Sequence, residues 1–416
     1  MKYEIKALIG LSSCVIIRQY LRASAVLVII ANTRTLRVLI LSILLTAASA
    51  AGSPPPQHGT VSGKNLIAEE VIAIARKVGD WQLANPNLNP EHGPTEWTQG
   101  ALYTGIMALY RLTGDDKYRQ AMLEMGRGNG WKLGPRKYFA DDHCVGQTYC
   151  ELYEMKRDPA LIAPMLSQFD GIMAQPMTRD LAWPTKGAPK EDWAAWSNRW
   201  SWCDALYMAP PTWAMLSKLT GDTRYLEFMD REWWATTEYL YDKDEHLFYR
   251  DSRFFTKKTP GGRKTFWSRG NGWVYAGLAR VLNYMPSQFS SKDRYLQHYK
   301  EMTSAIVKAQ HKDGLWRPSL LDPDEIPRGE TSGSGFFCYG LAWGLNRGIL
   351  NPVEYEPVLM LAWRALVAEV HPDGMLGSVQ PIGGAPDKVS KDSTEVYGTG
   401  AFLLAASEVH KYISKE

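Results

Sequence analysis

The sequence predicts an all-α protein, an (α/α)6 barrel in which an outer ring of helices surrounds an inner ring. Three observations support this fold class. Six strongly apolar helical segments recur along the chain, amphipathic segments alternate with them, and runs with the alternating pattern of β-strands are absent. A helix that is apolar on all sides is buried, whereas an amphipathic helix has one face in solvent. The two kinds of helix therefore predict two concentric rings built from six helical hairpins.

The predicted inner helices share a polar or glycine-rich opening turn that is followed by an apolar run with many small residues. The six segments cover residues 97–114, 141–158, 203–221, 268–285, 331–350 and 396–412. Successive equivalent positions are 46, 62, 64, 63 and 65 residues apart, counted along the series Gly100, Gly146, Met208, Gly272, Gly335 and Gly400. A spacing this regular is typical of a repeat architecture.

The predicted outer helices carry an apolar stripe and a charged face. Four of them are residues 65–84, 224–241, 294–310 and 354–370. Six inner–outer pairs close naturally into a ring. An open solenoid is the alternative, but it requires polar capping repeats at its ends, and the terminal segments lack them. In a closed double ring, the turns that enter the inner helices all open at one end and line a common pocket.

Three segments are predicted along the chain. Residues 1–50 are a leader, in which apolar runs precede the small-residue cleavage pattern Ala48–Ala50. Residues 51–64 are a flexible linker, and residues 65–416 are a single catalytic domain of sufficient length for one large core. The leader predicts export to the periplasm or the extracellular space. An uncleaved leader that anchors the protein to the membrane is the alternative.

Composition favours a protein that handles sugars and argues against one that binds nucleic acid. The chain has 16 Trp and 21 Tyr residues, whose flat apolar faces and polar edges suit sugar rings, although packing in a helical core is the alternative for most of them. The leader holds six of the 47 basic residues and one of the 44 acidic ones. The remaining 41 basic and 43 acidic residues do not form a basic footprint for nucleic acid.

A carboxylate in an aromatic setting is the first candidate for catalysis. In "RWSWCDALYMAPP", Asp204 lies in the turn before a helix that we expect to start at Pro211. Asp142 occupies the equivalent turn one repeat earlier, so the two carboxylates are expected to meet at the pocket. Apolar surroundings raise the pKa of a carboxyl group, which then holds a proton and acts as a general acid. The alternative is that each Asp caps a helix.

A second motif, "FWSRGNGW", places Arg269 between Trp267 and Trp273. Arginine is suited to binding a carboxylate through two parallel hydrogen bonds, although a glycine-rich turn with a surface Arg is the alternative. His143 follows two Asp residues, but no second His lies three or four positions away, so a metal site is not predicted. We expect no cofactor, because phosphate-binding and metalloprotease motifs are also absent.

The motifs "DDHCVGQ", "WCDALYMAPP" and "FWSRGNGW" together resemble those of glycoside hydrolase family 105, the unsaturated rhamnogalacturonyl and glucuronyl hydrolases. The resemblance covers the chain from about residue 65 to the C-terminus. It implies an (α/α)6 barrel with Asp204 as the general acid/base and Asp142 as the second essential carboxylate, with Asp141 as the alternative. The residues expected to contact the substrate are Trp97, Asp141, His143, Trp202, Met208, Trp267, Arg269 and Trp273.

The reaction that this resemblance implies is the removal of an unsaturated uronic acid from the non-reducing end of oligosaccharides left by polysaccharide lyases. Family members often have a His after an "LFY" segment, where this chain has Arg250 and Asp251. This difference bears on which substrates are preferred. The alternatives are a hydrolase of saturated glycosides on the same barrel and a carbohydrate-binding protein without activity. The expected partner is an oligosaccharide, with leaving sugars that include rhamnose and sulfated rhamnose from ulvan.

Overall fold

Outer and inner helices alternate along the chain in the computed structural model, which describes residues 67–86, 88, 92–175 and 180–415. In chain order the helices are α1 (Ala68–Ala84), α2 (Trp97–Thr113), α3 (Asp116–Gly128), α4 (Gly146–Lys156), α5 (Ala163–Met173), α6 (Lys190–Ser197), α7 (Ala205–Met208), α8 (Pro210–Thr220), α9 (Thr223–Leu240), α10 (Ser268–Tyr284), α11 (Lys292–Lys308), α12 (Thr331–Asn346), α13 (Pro352–Ala368) and α14 (Val396–Ile413). The inner ring is formed by α2, α4, α8, α10, α12 and α14.

The inner ring is closed, because α14 packs against both α12 and α2. The outer helices α1, α3, α9, α11 and α13 each contact a neighbouring inner helix. The predicted all-α (α/α)6 barrel is therefore confirmed, and the open solenoid is excluded. The predicted leader (1–50) and linker (51–64) lie outside the described residues. Among the helices that are described, none is long and apolar enough to cross a membrane.

Small residues allow the first and last inner helices to approach each other closely. A Cβ atom added to Gly105 of α2 would lie 2.6 Å from the carbonyl oxygen of Gly400 in α14. Such a distance is shorter than van der Waals contact, so the two backbones touch where only glycine fits. The small residues that marked the repeats in the sequence are thus the residues that close the ring.

The helix that follows Asp204 is interrupted by two prolines. The short α7 ends at Met208, and α8 begins at Pro210, one residue earlier than the predicted start at Pro211. Both prolines are accepted there because the first-turn N–H groups of a helix have no intrahelical partner. The break leaves Asp204 and Met208 at the end of the barrel where the predicted pocket opens.

A small hairpin and several loop contacts build the rim at this end of the barrel. Strands β1 (Tyr241–Asp242) and β2 (Leu247–Phe248) pair antiparallel between α9 and α10. The backbone of Trp267 pairs with Ser319 in the next loop along the chain. The loops before two inner helices, α10 and α12, are therefore tied to each other at the rim.

Candidate active site

A cavity of about 240 Å³ opens at the rim end of the inner ring. It is lined by Trp97, Asp141, Trp202, Asp204, Met208, Arg250, Trp267, Arg269, Ile382 and Gly383. Seven of these residues were predicted from the sequence, while Asp142, His143 and Trp273 do not line the cavity. Its volume lies below the ~300–1,000 Å³ of sites for drug-sized ligands, which suits a single terminal sugar.

Asp204 reaches the cavity without capping a helix. It precedes α7, but its side chain accepts no hydrogen bond from the N–H groups of that helix. Its Oδ2 atom lies 3.4 Å from Nε of Arg250 and accepts a weak hydrogen bond from the Cys203 thiol at 3.6 Å. Burial raises the pKa of Asp204, and the positive charge of Arg250 opposes this shift. The capping alternative is therefore excluded for Asp204.

Asp141 is the second carboxylate in the cavity. It lies in a 3-10 turn, Ala140–His143, that leads into α4. Burial, and to a smaller extent the negative charge of Asp204, raises the pKa of Asp141 to about 7. Two carboxylates that interact in this way titrate as a pair, which keeps one proton up to near-neutral pH.

Asp142 points away from the cavity, so the predicted meeting of Asp142 with Asp204 is corrected to Asp141 with Asp204. The Asp142 carboxylate accepts hydrogen bonds from the backbone N–H of Arg136 at 2.6 Å and from Nη2 of Arg136 at 2.5 Å. It is 1% exposed. Asp142 therefore fixes the loop that precedes the 3-10 turn.

His143 also lies outside the cavity, contrary to its predicted contact with the substrate. Its Nε2–H donates to the carbonyl oxygen of Lys137 at 2.9 Å, and its Nδ1 accepts from Nε1–H of Trp213 at 3.4 Å. Its ring packs against Phe169. Burial lowers the pKa of His143 to about 4, so the imidazole is neutral and serves the core.

Aromatic rings form the walls and support the floor of the cavity. Trp97 stacks on Tyr397 with ring centroids 5.2 Å apart. Trp273 was predicted to hold the sugar, but it lies below the cavity and is 1% exposed. There it contacts Trp97 edge to face at 6.0 Å and Phe336 at 4.2 Å. Trp273 therefore supports the wall that Trp97 presents to the cavity.

Arg269 has the predicted location, but its two terminal nitrogens donate hydrogen bonds to the protein itself. Its Nη1 donates to the carbonyl oxygen of Gln380 at 2.6 Å, and its Nη2 donates to those of Pro381 at 3.0 Å and Gly383 at 3.3 Å. The guanidinium lies over the rings of Trp267 and Tyr397, at 4.5 and 4.9 Å. Arg269 therefore ties the loop before α14 to the start of α10.

Arg250 is the second cation of the cavity. Its Nη1 donates to Asp251 at 2.8 Å, and Asp251 is in turn bound by Arg253. Within the described part of the chain, Nε of Arg250 is buried without a hydrogen-bond partner and Nη2 makes no hydrogen bond. The signal in the sequence was the arginine that follows "LFY", where the resemblance led us to expect a His.

Ile382 and Gly383 also line the cavity but were not predicted, because this loop shows no chemical pattern in the sequence. It lies more than 110 residues after Arg269, whose hydrogen bonds bring it over the cavity. These residues become neighbours of Arg269 only when the ring of helices is folded.

A second cavity and the placement of possible metal-binding groups both bear on the choice of this site. A larger cavity of about 680 Å³ lies between α9 and α11, but it includes none of the predicted site residues. Its lining has two glutamates, the exposed Glu238 and the partly buried Glu301, and no carboxylate beside a buried arginine or lysine. Among the residues that the structure describes, no group of three or more His, Cys, Asp or Glu side chains is arranged to hold a metal ion.

Comparisons with known proteins show the family to which the chain belongs. The family described as Glycosyl Hydrolase Family 88 matches residues 73–413. An unsaturated 3S-rhamnoglycuronyl hydrolase of Formosa agariphila is 39% identical over 354 residues, which cover 84% of this chain and 92% of that protein.

Two solved structures share the fold along most of the chain. A protein described as a polysaccharide lyase is 33% identical with a TM-score of 0.75, covering 84% of this chain and 99% of that one. A family 88 glycosyl hydrolase from Bacteroides vulgatus is 31% identical with a TM-score of 0.72, covering 83% and 100%. The resemblance to the unsaturated uronyl hydrolases is confirmed, with family 88 as the family that matches. The chain belongs to glycosyl hydrolase family 88.

Proposed function

We propose that this enzyme removes an unsaturated uronic acid from the non-reducing end of oligosaccharides by adding water across the sugar's double bond. The observation that carries the proposal is the pairing of Asp204 with Asp141 beside Arg250 in a small cavity. One carboxyl group that keeps a proton supplies the acid, and a cation without a full set of partners supplies a place for the substrate's carboxylate. The activity for which the Formosa agariphila relative is named supports the same reaction.

The reaction balances with one water and no cofactor. Asp204 donates its proton to C4, the C4–C5 double bond is consumed, and positive charge develops at C5. A water molecule then adds to C5 and returns a proton to the Asp204 carboxylate, so that one residue acts first as acid and then as base. The hemiketal at C5 opens, C1 becomes a hemiacetal, and the leaving sugar departs from it as the alcohol.

The sign of an absorbance change separates this function from its rivals. Hydration removes the double bond that is conjugated with the carboxylate, so the ultraviolet absorbance of an unsaturated oligosaccharide is expected to fall. A lyase, as one of the similar structures is described, makes the absorbance of an intact polysaccharide rise. A hydrolase of saturated glycosides releases sugar without either change, and a binding protein produces none of these results. A rise or a constant signal would contradict the proposal.

The leaving sugar that we propose is a 3-sulfated rhamnose. The support is the name of the Formosa relative, which specifies a 3S-rhamnoglycuronyl substrate. Incubation with unsaturated disaccharides that end in rhamnose, with and without the sulfate, tests this point directly. Equal rates on both would contradict a preference for the sulfated sugar.

The carboxylate pair predicts a specific pH profile. Because the acid must be protonated, kcat/KM is expected to fall as the pH rises through the apparent pKa of the pair, close to the value of about 7 for Asp141. Asp141→Asn removes the carboxyl group with that pKa, so the alkaline limb is expected to move to lower pH. Rates measured between pH 5 and 9 in both proteins would show it. An unmoved limb in the variant would mean that Asp141 does not share the proton.

We also propose that the protein is exported. The support is the leader pattern in the sequence, with small residues at Ala48–Ala50. Cleavage there predicts a mature N-terminus near Ala51. N-terminal sequencing of the native protein from periplasmic and culture fractions tests it, and an intact leader on a cytosolic protein would contradict it.

A further inference from the structure

The two adjacent aspartates of the "DDH" motif face different surroundings, and the second one holds an arginine. Arg136 lies in the loop before the 3-10 turn and binds Asp142 through Nη2 at 2.5 Å and through Nε at 3.1 Å. Asp142 is 1% exposed, whereas the Arg136 side chain is 48% exposed. A buried carboxylate therefore fixes one edge of a guanidinium whose other edge faces outward.

An aromatic ring fixes the plane of the same guanidinium. The Cζ atom of Arg136 lies 3.8 Å from the centre of the Phe139 ring. The guanidinium of Arg136 is thus stacked on a ring and hydrogen-bonded to a carboxylate through two nitrogens, which together restrict its rotation. Nη1 of Arg136 makes no hydrogen bond within the described part of the chain, so its two N–H groups are held in a set direction.

Arg136 lies beside the catalytic cavity, next to a ring that touches the cavity lining. Phe139, its stacking partner, contacts Trp202 with ring centroids 5.0 Å apart, and Trp202 lines the cavity. The charge of Arg136 also acts on Asp141, whose pKa it lowers against the larger effect of burial. On its other side, the Trp202 ring packs against Trp196, with ring centroids 5.4 Å apart. The site thus extends past the cavity along a short aromatic wall with one arginine beside it.

The catalytic cavity has room for the terminal uronic acid, so the leaving sugar must lie at its mouth. A sulfate ester on that sugar carries a full negative charge and offers acceptor oxygens to N–H groups. Arginine suits such groups, because its donors lie in a rigid plane. A preoriented guanidinium also loses less entropy on binding than a free side chain.

We propose that Arg136, held by Asp142 and Phe139, binds the sulfate of the leaving sugar and makes the enzyme selective for sulfated substrates. This inference rests on the proposed function and extends it to the subsite beyond the cavity. It also gives Asp142 a role: Asp142 positions Arg136, while Asp141 faces the reacting sugar.

The test compares kcat/KM on two unsaturated disaccharides that differ only in the 3-sulfate of the leaving rhamnose. In Arg136→Ala, the ratio of the sulfated to the unsulfated value is expected to fall at least about tenfold, because a charge-assisted hydrogen bond is lost. In Arg136→Lys, which keeps the charge but loses the fork, a smaller fall is expected. Losses of equal size on both substrates, or an unchanged ratio, would overturn the proposal.

Arg224→Ala is the matched control. Arg224 donates two hydrogen bonds to the Asp222 carboxylate, from Nε at 3.0 Å and from Nη2 at 2.6 Å. It lies at the start of α9 and does not line the cavity. The ratio is expected to stay at the wild-type value in this variant. If it falls as far as in Arg136→Ala, the effect is a general one of surface charge and the assignment of Arg136 is wrong.

A binding experiment keeps this inference separate from the proposed reaction. Titration of wild-type protein and of Arg136→Ala with methyl 3-O-sulfo-rhamnoside needs no turnover. Weaker binding by Arg136→Ala, with a matched unsulfated rhamnoside as reference, supports the sulfate subsite even if the absorbance assay fails. Equal affinity of both proteins would overturn it even if that assay succeeds.

Discussion

Asp204→Asn is expected to lower kcat at least about a hundredfold while the protein still binds its substrate. The amide has nearly the shape of the carboxyl group but supplies neither the proton for C4 nor the base for water. Asp204 makes no cap to α7, so its loss leaves the helix that it precedes intact. Rates from the fall in ultraviolet absorbance, together with substrate affinity from calorimetry, measure both parts of this expectation.

Asp222→Asn is a suitable control, because Asp222 caps α9 and lies outside the cavity lining. It is expected to lower stability slightly and to leave kcat near the wild-type value. Near-normal turnover in a folded Asp204→Asn protein would remove Asp204 from the acid/base role. The role would then pass to Asp141, whose pKa of about 7 makes it the other proton carrier of the cavity.

The fold could be predicted because its determinants are local and repeated. The small residues that recur in the inner segments are needed where α2 and α14 touch at Gly105 and Gly400. Buried helices also require apolar residues on every side. Both requirements can be read from composition and spacing alone. The ring closes through a contact between distant segments, α2 and α14, but the residues that make it belong to the repeated pattern.

The site was harder to predict at the "DDH" motif, and the reason is geometric. In a 3-10 turn three residues complete one turn, so adjacent side chains point about 120° apart. Only one of Asp141, Asp142 and His143 is therefore able to face the cavity. The sequence has three polar residues in a row and does not indicate which of them the turn directs toward the cavity. Arg136 decides the orientation of the turn, because it donates hydrogen bonds to Asp142 and leaves Asp141 facing the cavity.

Arg269 illustrates a second limit, since the sequence identified a cation without its partners. Its terminal nitrogens bind the carbonyl oxygens of Gln380, Pro381 and Gly383. Backbone carbonyls leave no pattern in a sequence, and these lie more than 110 positions away. Arg269 thus keeps only Nε without a hydrogen bond to the described protein, whereas Arg250 keeps both Nε and Nη2, so Arg250 has the terminal nitrogen that is left for the substrate's carboxylate.

Arg250→Ala is expected to lower kcat/KM at least about a hundredfold on substrates with a free carboxylate. Burying that carboxylate without a cationic partner costs several kcal/mol. Nη2 of Arg250 makes no hydrogen bond to the described protein, while Nε has only the ion pair with Asp204 at 3.4 Å. On the methyl ester of the same substrate, which carries no charge, the loss relative to wild type is expected to be much smaller. Paired rate measurements on acid and ester show the difference.

Arg269→Ala completes this comparison and gives the opposite pattern. Three carbonyl groups of the loop lose their hydrogen bonds from Arg269, so a lower melting temperature and similar losses on acid and ester are expected. Arg250→Ala should also move the alkaline limb of the pH profile to higher pH, because Arg250 holds the pKa of Asp204 down. A selective loss on the acid in Arg269→Ala, with equal losses in Arg250→Ala, would reverse the assignment. The substrate's carboxylate would then be bound by Arg269, and the effect of Arg250 would be confined to the pKa of Asp204.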